Sequence, residues 1–329
     1  PVNISTSNLL NYYDISNSSS YSGSGTTITD LGSSNIPMNI FGTTTFNSSL
    51  GGYLSLDGST GYLKDTVTTL PSYNVSMFMW VYPRTFTSSP YYAQFNRYAG
   101  TNGTISEIVF QSDNQGDLYY WEYDGSAYGS NLTAQAGLCQ LPANKWSYIG
   151  FVRSGSATSV TTQIFLNGIN CRSGTSSTAV DMNANSNKVV ALGLNFRDSN
   201  SYFDGSIASY ALYGASLDTP TIQANMANSS VKSINLGNPS NSKKLSKTNT
   251  ITATYSSYQD GLVSFYYNNR AINGCQGLVG SSGSATCNWK PILHGLQYIT
   301  AKYRPSGTQV TSNISTTIPV TISTRNVPR

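Results

Sequence analysis

Glu122 and Asp124 stand two residues apart in LYYWEYD (residues 118–124), a run that alternates like a β-strand. On a strand they share one face. A pair of carboxyl groups is the minimum for breaking a glycosidic bond, one as acid and the other as base or nucleophile. The competing reading of the pair is a solvated turn edge. Glu107 is the only other glutamate in the chain. Other chemistries have less to work with. His294 is the single histidine, it sits beside Gly295, and no Gly-x-Ser-x-Gly lies near it. There is no phosphate-cradling loop leading into a helix. The four cysteines form no Cys-x-x-Cys, and one histidine leaves little scope for zinc. A non-catalytic protein is expected.

The same segment suits binding. Tyr119, Trp121 and Tyr123 share one strand face, and Leu118, Tyr120 and Glu122 share the other. One face should enter a core. The other could present rings to sugars, because aromatic residues with a polar handle suit half-wet surfaces. The candidate carbohydrate-binding residues are Tyr91, Tyr92, Arg97, Trp121, Tyr123, Asp124, Tyr128 and Arg197, the charged ones as hydrogen-bonding partners. The alternative is that both aromatic rows pack, one against a sheet and one under a loop.

The elements that must hold these residues are strands. Residues 145–168 read as a strand, a polar turn, a second strand and then Asn167-Gly168. Period-two alternation ending in Asn-Gly marks a hairpin, since both central residues of a type I′ turn need positive φ. Charged residues make up only 10% of the 329, while Tyr alone contributes 24, so the polar surface must be Ser, Thr, Asn, Gln and Tyr. That composition favours half-buried strands, and no window holds a sustained helical period. Strands are expected at 52–56, 75–82, 91–98, 106–111, 117–123, 146–153, 162–166, 188–195 and 206–213. A helix of one or two turns is expected at 217–226, capped by Asp218 with Pro220 in its first turn. Residues 16–27 should be loop unless they pair at a sheet edge. Further strands are expected at 233–236, 249–255, 262–267, 285–289, 297–303 and 318–323.

Charge divides the chain. Before Val231 there are eight Lys and Arg against thirteen Asp and Glu, a net of −5; beyond it there are ten against one, a net of +9. Two domains, 1–230 and 231–329, are expected. The basic part could face an acidic polymer, an anionic surface or the acidic part of a neighbouring copy, giving a homo-oligomer, filament or lattice. Nucleic acid is not an expected partner: the basic residues are spread over strands and loops without a recognition motif. No stretch of eighteen apolar residues exists, so membrane insertion is not expected.

Cys139, Cys171, Cys275 and Cys287 permit three disulfide connectivities, and the domain boundary favours Cys139–Cys171 with Cys275–Cys287. Disulfides imply an oxidising compartment. Pro1 in place of Met implies a removed leader or a fragment. The expected location is extracellular, on a cell or virion surface, with glycans or other surface proteins as partners. N-glycosylation sequons occur at Asn3, Asn17, Asn47, Asn74, Asn102, Asn131, Asn228 and Asn313. A chain so rich in Asn, Ser and Thr generates such triplets by chance, so each is only a candidate.

Four segments occur in a telling order: 51–63 (GGYLSLDGSTGYL), 75–83 (VSMFMWVYP), the 145–168 hairpin and 202–217 (YFDGSIASYALYGASL). Together they resemble the laminin G-like branch of the concanavalin A-like lectin/glucanase fold over about residues 9–226. The resemblance implies a jelly-roll sandwich used for recognition or display. Glycoside hydrolases on this fold carry Glu-x-Asp-x-x-Glu or Glu-x-Asp-x-Glu on one strand, and neither pattern is present. Related domains often hold calcium near the edge following "G-x-I". Here Ile207 is followed by Ala208-Ser209, leaving Asp57, Asp204 and Asp218 as candidate calcium ligands. Residues 231–325 resemble bacterial-type immunoglobulin-like repeats, with Cys275, Cys287, Gly295 and Tyr303 in place together. In that pattern the bridge closes a local hairpin rather than joining two sheets. The expected architecture is all-β: a concanavalin A-like jelly-roll sandwich, then a smaller immunoglobulin-like β-sandwich.

Overall fold

A computed structural model describes residues 3–67, 71–86, 91–99, 104–123, 128–181, 183, 188–195, 201–237, 242–280 and 283–323. The chain is all-β apart from one α-helix and a short 3₁₀ turn among these residues. It separates into two compact units, Pro1–Ile222 and Gln223–Arg329.

The first unit has two eight-stranded sheets. One runs, edge to edge, Ile169–Ser176, Ser159–Leu166, Ser147–Ser156, Val75–Pro83, Asp204–Tyr213, Tyr53–Asp57 and Thr44–Asn47, with Leu9–Asp14 also paired to Asp204–Tyr213. In that last pairing Leu9 lies opposite Tyr213 and Asp14 opposite Ser209. The other sheet runs Tyr128–Leu132, Leu118–Tyr123, Thr104–Ser112, Tyr91–Ala99, Lys188–Leu192, Tyr62–Val67, Met38–Phe41 and Thr27–Ile28.

The expected hairpin is present. Ile149 lies opposite Leu166 and Phe151 opposite Ile164. Asn167 (φ 51°) and Gly168 (φ 76°) make the left-handed turn that Asn-Gly favours. The chain then continues into a third strand, Ile169–Ser176, which forms the sheet edge. Beside the hairpin lies Val75–Pro83, buried throughout except for Tyr82, as befits a central strand. The inward residues of both sheets share one core that includes Met77, Met79, Phe110, Tyr120, Ile149 and Phe151. Phe151 meets Tyr120 of the opposite sheet at 4.9 Å and Phe110 at 5.7 Å between ring centroids.

Cys139 and Cys171 are bonded, Cα to Cα 5.5 Å apart. The Cys139 carbonyl accepts from Leu118 N–H in one sheet, while Cys171 lies on the edge strand of the other. The bridge therefore clasps one edge of the sandwich. Loop-closure entropy for a separation of 32 residues puts its stabilisation at about 3–4 kcal/mol.

A buried acid lies elsewhere in this core. The Tyr13 hydroxyl is 2.7 Å from Asp65 Oδ2 and 2.7 Å from the Ile36 carbonyl, which can only accept. One phenolic proton cannot serve both, so the arrangement is complete when Asp65 is itself protonated and donates to Tyr13. Burial pushes the Asp65 carboxyl up to about 7, against the hydrogen bond from Tyr13 and with the Asp30 charge adding to the rise.

The helix spans Thr219–Ser230, longer than the one or two turns expected. Asp218 caps it, its Oδ1 accepting from Thr221 N–H at 2.9 Å. Pro220 sits in the first turn, where a missing N–H costs nothing. The extra turn is polar and small, but the Ser229 and Ser230 hydroxyls bond back to the carbonyls of Asn225 and Ala227.

The second unit has a three-stranded sheet, Val231–Leu236, Asn249–Ser257 and Ser284–Trp289. Its six-stranded sheet runs Ser242–Lys244, Ser315–Ser323, Gly295–Pro305, Gly261–Tyr267 and Arg270–Ala271, with Leu278–Val279 also on Gly261–Tyr267. Val263, Phe265, Trp289, Ile299 and Tyr303 are among its core residues. Cys275 is bonded to Cys287, but the bridge does not close a local hairpin as expected. The Cys275 carbonyl accepts from Phe265 N–H in the larger sheet, whereas Cys287 lies opposite Ile251 in the smaller. The short segment between the cysteines changes sheets, so a bridge of 12 residues' separation joins the two layers.

Candidate binding site

The strand Leu118–Tyr123 alternates strictly between buried and half-buried residues. Leu118, Tyr120 and Glu122 point into the core, which corrects the carboxylate-pair expectation for Glu122. Its side chain and that of Arg153 are fully buried and paired: Nε donates to Oε1 at 2.7 Å and Nη2 to Oε2 at 3.0 Å. The Tyr120 hydroxyl donates to Oε1 at 2.8 Å and Val180 N–H to Oε2 at 2.9 Å. Arg153 also donates to the Ser72 carbonyl at 2.9 Å and to that of Val180. Desolvation alone would lower the Arg153 pKa; Tyr120 and Glu122 outweigh it and keep the guanidinium charged. Both carboxylate oxygens are committed and sealed from solvent, so Glu122 serves the sandwich and no acid–base chemistry. Asp124, the other member of the pair, lies outside the described residues.

The opposite face of the strand opens on a groove of about 280 Å³ lined by Gln111, Tyr119, Trp121, Tyr128, Asn131, Thr133 and Ala134. Cross-strand register assembles it: Tyr119 faces Gln111 on one neighbouring strand, and Trp121 faces Asn131 on the other. Tyr128, 63% exposed, stands edge-on to Trp121 with centroids 6.0 Å apart, and lies 5.2 Å from Tyr123. At the floor is Gln111, only 4% exposed. It hydrogen-bonds Tyr119, whose phenol burial raises above its ordinary value and this bond pulls back. The Oε1 of Gln111 is buried without a hydrogen-bond partner among the described residues. A buried orphan acceptor costs on the order of 1–3 kcal/mol unless something donates to it. Rings that cover apolar sugar faces, beside an amide oxygen that accepts from a hydroxyl, are the ordinary components of a polar-ligand site.

Of the expected binding residues, Trp121, Tyr123 and Tyr128 come together here. Tyr92 does not. It is fully buried, packs on Phe203 at 5.2 Å and Phe110 at 6.2 Å, and shares a hydrogen bond with Ser112. A bulge between Tyr91 and Ala93 inserts an extra residue that turns Tyr92 inward. The side chains of Tyr91 and Arg97, and the whole of Arg197, lie outside the described residues. Gln111 carried no sequence signal beyond strand position, and Asn131 and Thr133 appeared only within a sequon. Cross-strand pairing of 118–123 with both neighbours would have found Gln111 and Asn131.

The three aspartates do not make a calcium site. Asp57 is committed to its own turn, with Oδ1 accepting N–H groups of Ser59, Thr60 and Gly61 and Oδ2 accepting both hydroxyls. Against the upward push of desolvation, those donors hold its carboxyl well below the ordinary range. Asp204 lies opposite Asp57 but pairs with Arg84 at 2.6 Å. Asp218 caps the helix. Among the described residues no three of His, Cys, Asp and Glu gather as metal ligands. Calcium needs six to eight oxygens with free carboxylates, so the donor set does not fit it.

Asn3, Asn47, Asn74, Asn131 and Asn313 are exposed and Asn17 is half-buried, while Asn102 lies outside the described residues. Asn228 is 8% exposed and its Oδ1 accepts from Asn313 N–H at 2.7 Å, so the folded chain cannot offer it to a glycan.

Residues 57–223 match the laminin G-type model of the concanavalin A-like lectin/glucanases superfamily, and the chain belongs to that superfamily. No curated protein matches the chain by sequence. Among solved structures, domain 4 of AbnA, a GH43 extracellular arabinanase from Geobacillus stearothermophilus in complex with arabinotriose, is similar with a TM-score of 0.51 and 18% identity, over 68% of this chain and 100% of that one. The binding domain of botulinum neurotoxin serotype D is similar with a TM-score of 0.49 and 11% identity, over 94% and 69%. The CBM40 module of Ruminococcus gnavus IT-sialidase bound to α2,3 sialyllactose gives 0.42 and 14%, over 52% and 94%. Likeness at these identities is likeness of fold.

Proposed function

We propose that the first unit is a non-catalytic carbohydrate-binding module, with the Tyr119–Trp121–Tyr128 groove as its site. The observation that carries this reading is the orphan Gln111 oxygen set among half-exposed rings. Commitment of both Glu122 oxygens to the core supports a binding role over hydrolysis. The arabinanase domain that shares the fold was solved with arabinotriose, which makes neutral oligosaccharides the first ligands to test. Two disulfides support an oxidising, extracellular setting. The second unit is then an immunoglobulin-like spacer or docking domain, with the boundary near residue 230. Screening the wild-type chain and Trp121→Ala on an array of neutral glycans tests the reading. Binding by the wild type that the folded variant loses supports it; equal binding by both overturns it.

The charge split favours a second reading, that of a structural subunit of a surface layer, fibre or capsid decoration. The −5 and +9 parts of successive copies would attract head to tail, and such open contacts build filaments. Light scattering at low and high salt separates the two readings, since assembly through charge must dissolve as salt rises.

A further inference from the structure

The register of the second sheet places the groove at one end of a longer row. Tyr120 and Phe110 and, across the paired backbone of residue 93, Leu192 and Leu63 follow one another in register over five strands, and these four side chains lie in the core. The next row toward one end of the strands faces outward. It starts with Tyr119 and Gln111 and ends at Tyr62, which is one residue from Leu63, and Phe41, which lies opposite Tyr62. Phe41 is 38% exposed and Tyr62 half-buried. Their rings stack at 4.8 Å with planes 9° apart, and Tyr202 lies 6.5 Å from Tyr62.

The two aromatic patches thus lie on one face, at one level along the strands, four strand spacings apart. At about 4.8 Å per spacing the distance between them is about 19 Å. Core packing does not require an exposed aromatic stack at the far end, and a short sugar in the groove could not reach it.

We propose that this face binds an extended neutral glycan laid across the strands, held at one end by the Gln111–Trp121 groove and at the other by the Phe41–Tyr62 stack. The proposal rests on the reading of the groove as a glycan site and adds the ligand's class, a chain segment rather than a terminal mono- or disaccharide.

The test uses the full chain on an array of length-graded neutral oligosaccharides of the arabinan, xylan, glucan and mannan types, from two to about eight units. Affinity for the recognised series should climb about tenfold or more between the shortest and longest members. Phe41→Ala should lose that gain, falling about tenfold on the long members with the short ones unchanged. Trp121→Ala should lose both. Phe41→Gln, which keeps the bulk at the strand, serves if Phe41→Ala fails to fold. Binding that is independent of length, or a Phe41 variant equal to wild type on long chains while Trp121→Ala still fails, overturns the extended site and leaves the groove. Absence of binding to every series overturns both.

Discussion

The two faces of the strand Leu118–Tyr123 divide the work of the molecule. Inward, Tyr120 and Glu122 close on Phe151 and Arg153, and both Glu122 carboxylate oxygens have partners. Outward, Tyr119, Trp121 and Tyr123 stay half-exposed above an amide oxygen with none among the described residues. A six-residue strand thus carries a finished contact on one side and an unfinished one on the other. Finished contacts hold the fold. On the proposed reading, the unfinished side is where a ligand binds.

The largest expected effect comes from breaking the finished side. Arg153→Met leaves Glu122 charged, buried and unpaired, and should cost about 3–5 kcal/mol in urea denaturation. Replacing both partners by Met and Leu should recover most of that loss. A single variant within about 1 kcal/mol of wild type would show that the pair contributes little to holding the fold.

Asp65 sharpens the contrast, because it is an inward acid hydrogen-bonded to a phenol. Its folded pKa of about 7 lies above the ordinary Asp value of about 4, so the folded state retains the proton longer. Its contribution to stability is complete below about pH 4 and is lost as pH rises to about 7, by up to about 4 kcal/mol, then levels off. Thermal unfolding of wild type and Asp65→Asn across pH 4–8 checks this. The variant should show a flatter profile, and identical slopes would rule the group out.

Gly129 lies against the inward Glu122. A Cβ there would sit 2.8 Å from Glu122 Oε2 and 3.4 Å from the Thr178 carbonyl. Gly129→Ala should cost about 1–3 kcal/mol by overpacking against the ion pair. A neutral result in chemical denaturation would mean that the outer strand yields freely. The smallest effect should be that of Trp121→Ala on stability, within about 1 kcal/mol. If its melting temperature collapses, the outward face is also part of the core, and the division fails.

Much of the inward face was legible. Alternation in 118–123 predicts which residues enter the core, and Asn167-Gly168 predicts a turn whose dihedrals are as required. Strands with little chemistry of their own were not legible. Ile169–Ser176 (INCRSGTS) and Tyr128–Leu132 (YGSNL) are edge strands formed by pairing rather than propensity. Gln111 became a site residue only through its partner Tyr119, a long-range pairing that one sequence does not display. Tyr92 was named for its ring alone, and a bulge that the sequence does not announce turns it into the core. The helix was read short because its last turn, Ala227–Ser230 in residue positions 227–230, has no apolar periodicity to extend the pattern. The calcium set failed for another reason: carboxylates near in sequence pattern were already spent on a turn, an arginine and a helix cap.

The pairing of Leu9 with Tyr213 has a mechanical meaning. The first and last strands of the first unit run antiparallel and side by side, and they begin and end at the same place. Tension applied at those two points would part the ladder like a zipper, one rung at a time, instead of shearing all rungs together. Single-molecule pulling between positions 9 and 213 should therefore unfold the unit at lower force than pulling between 14 and 213, which loads the same rungs in parallel. The unit would hold a ligand under load only where its anchors spare that seam.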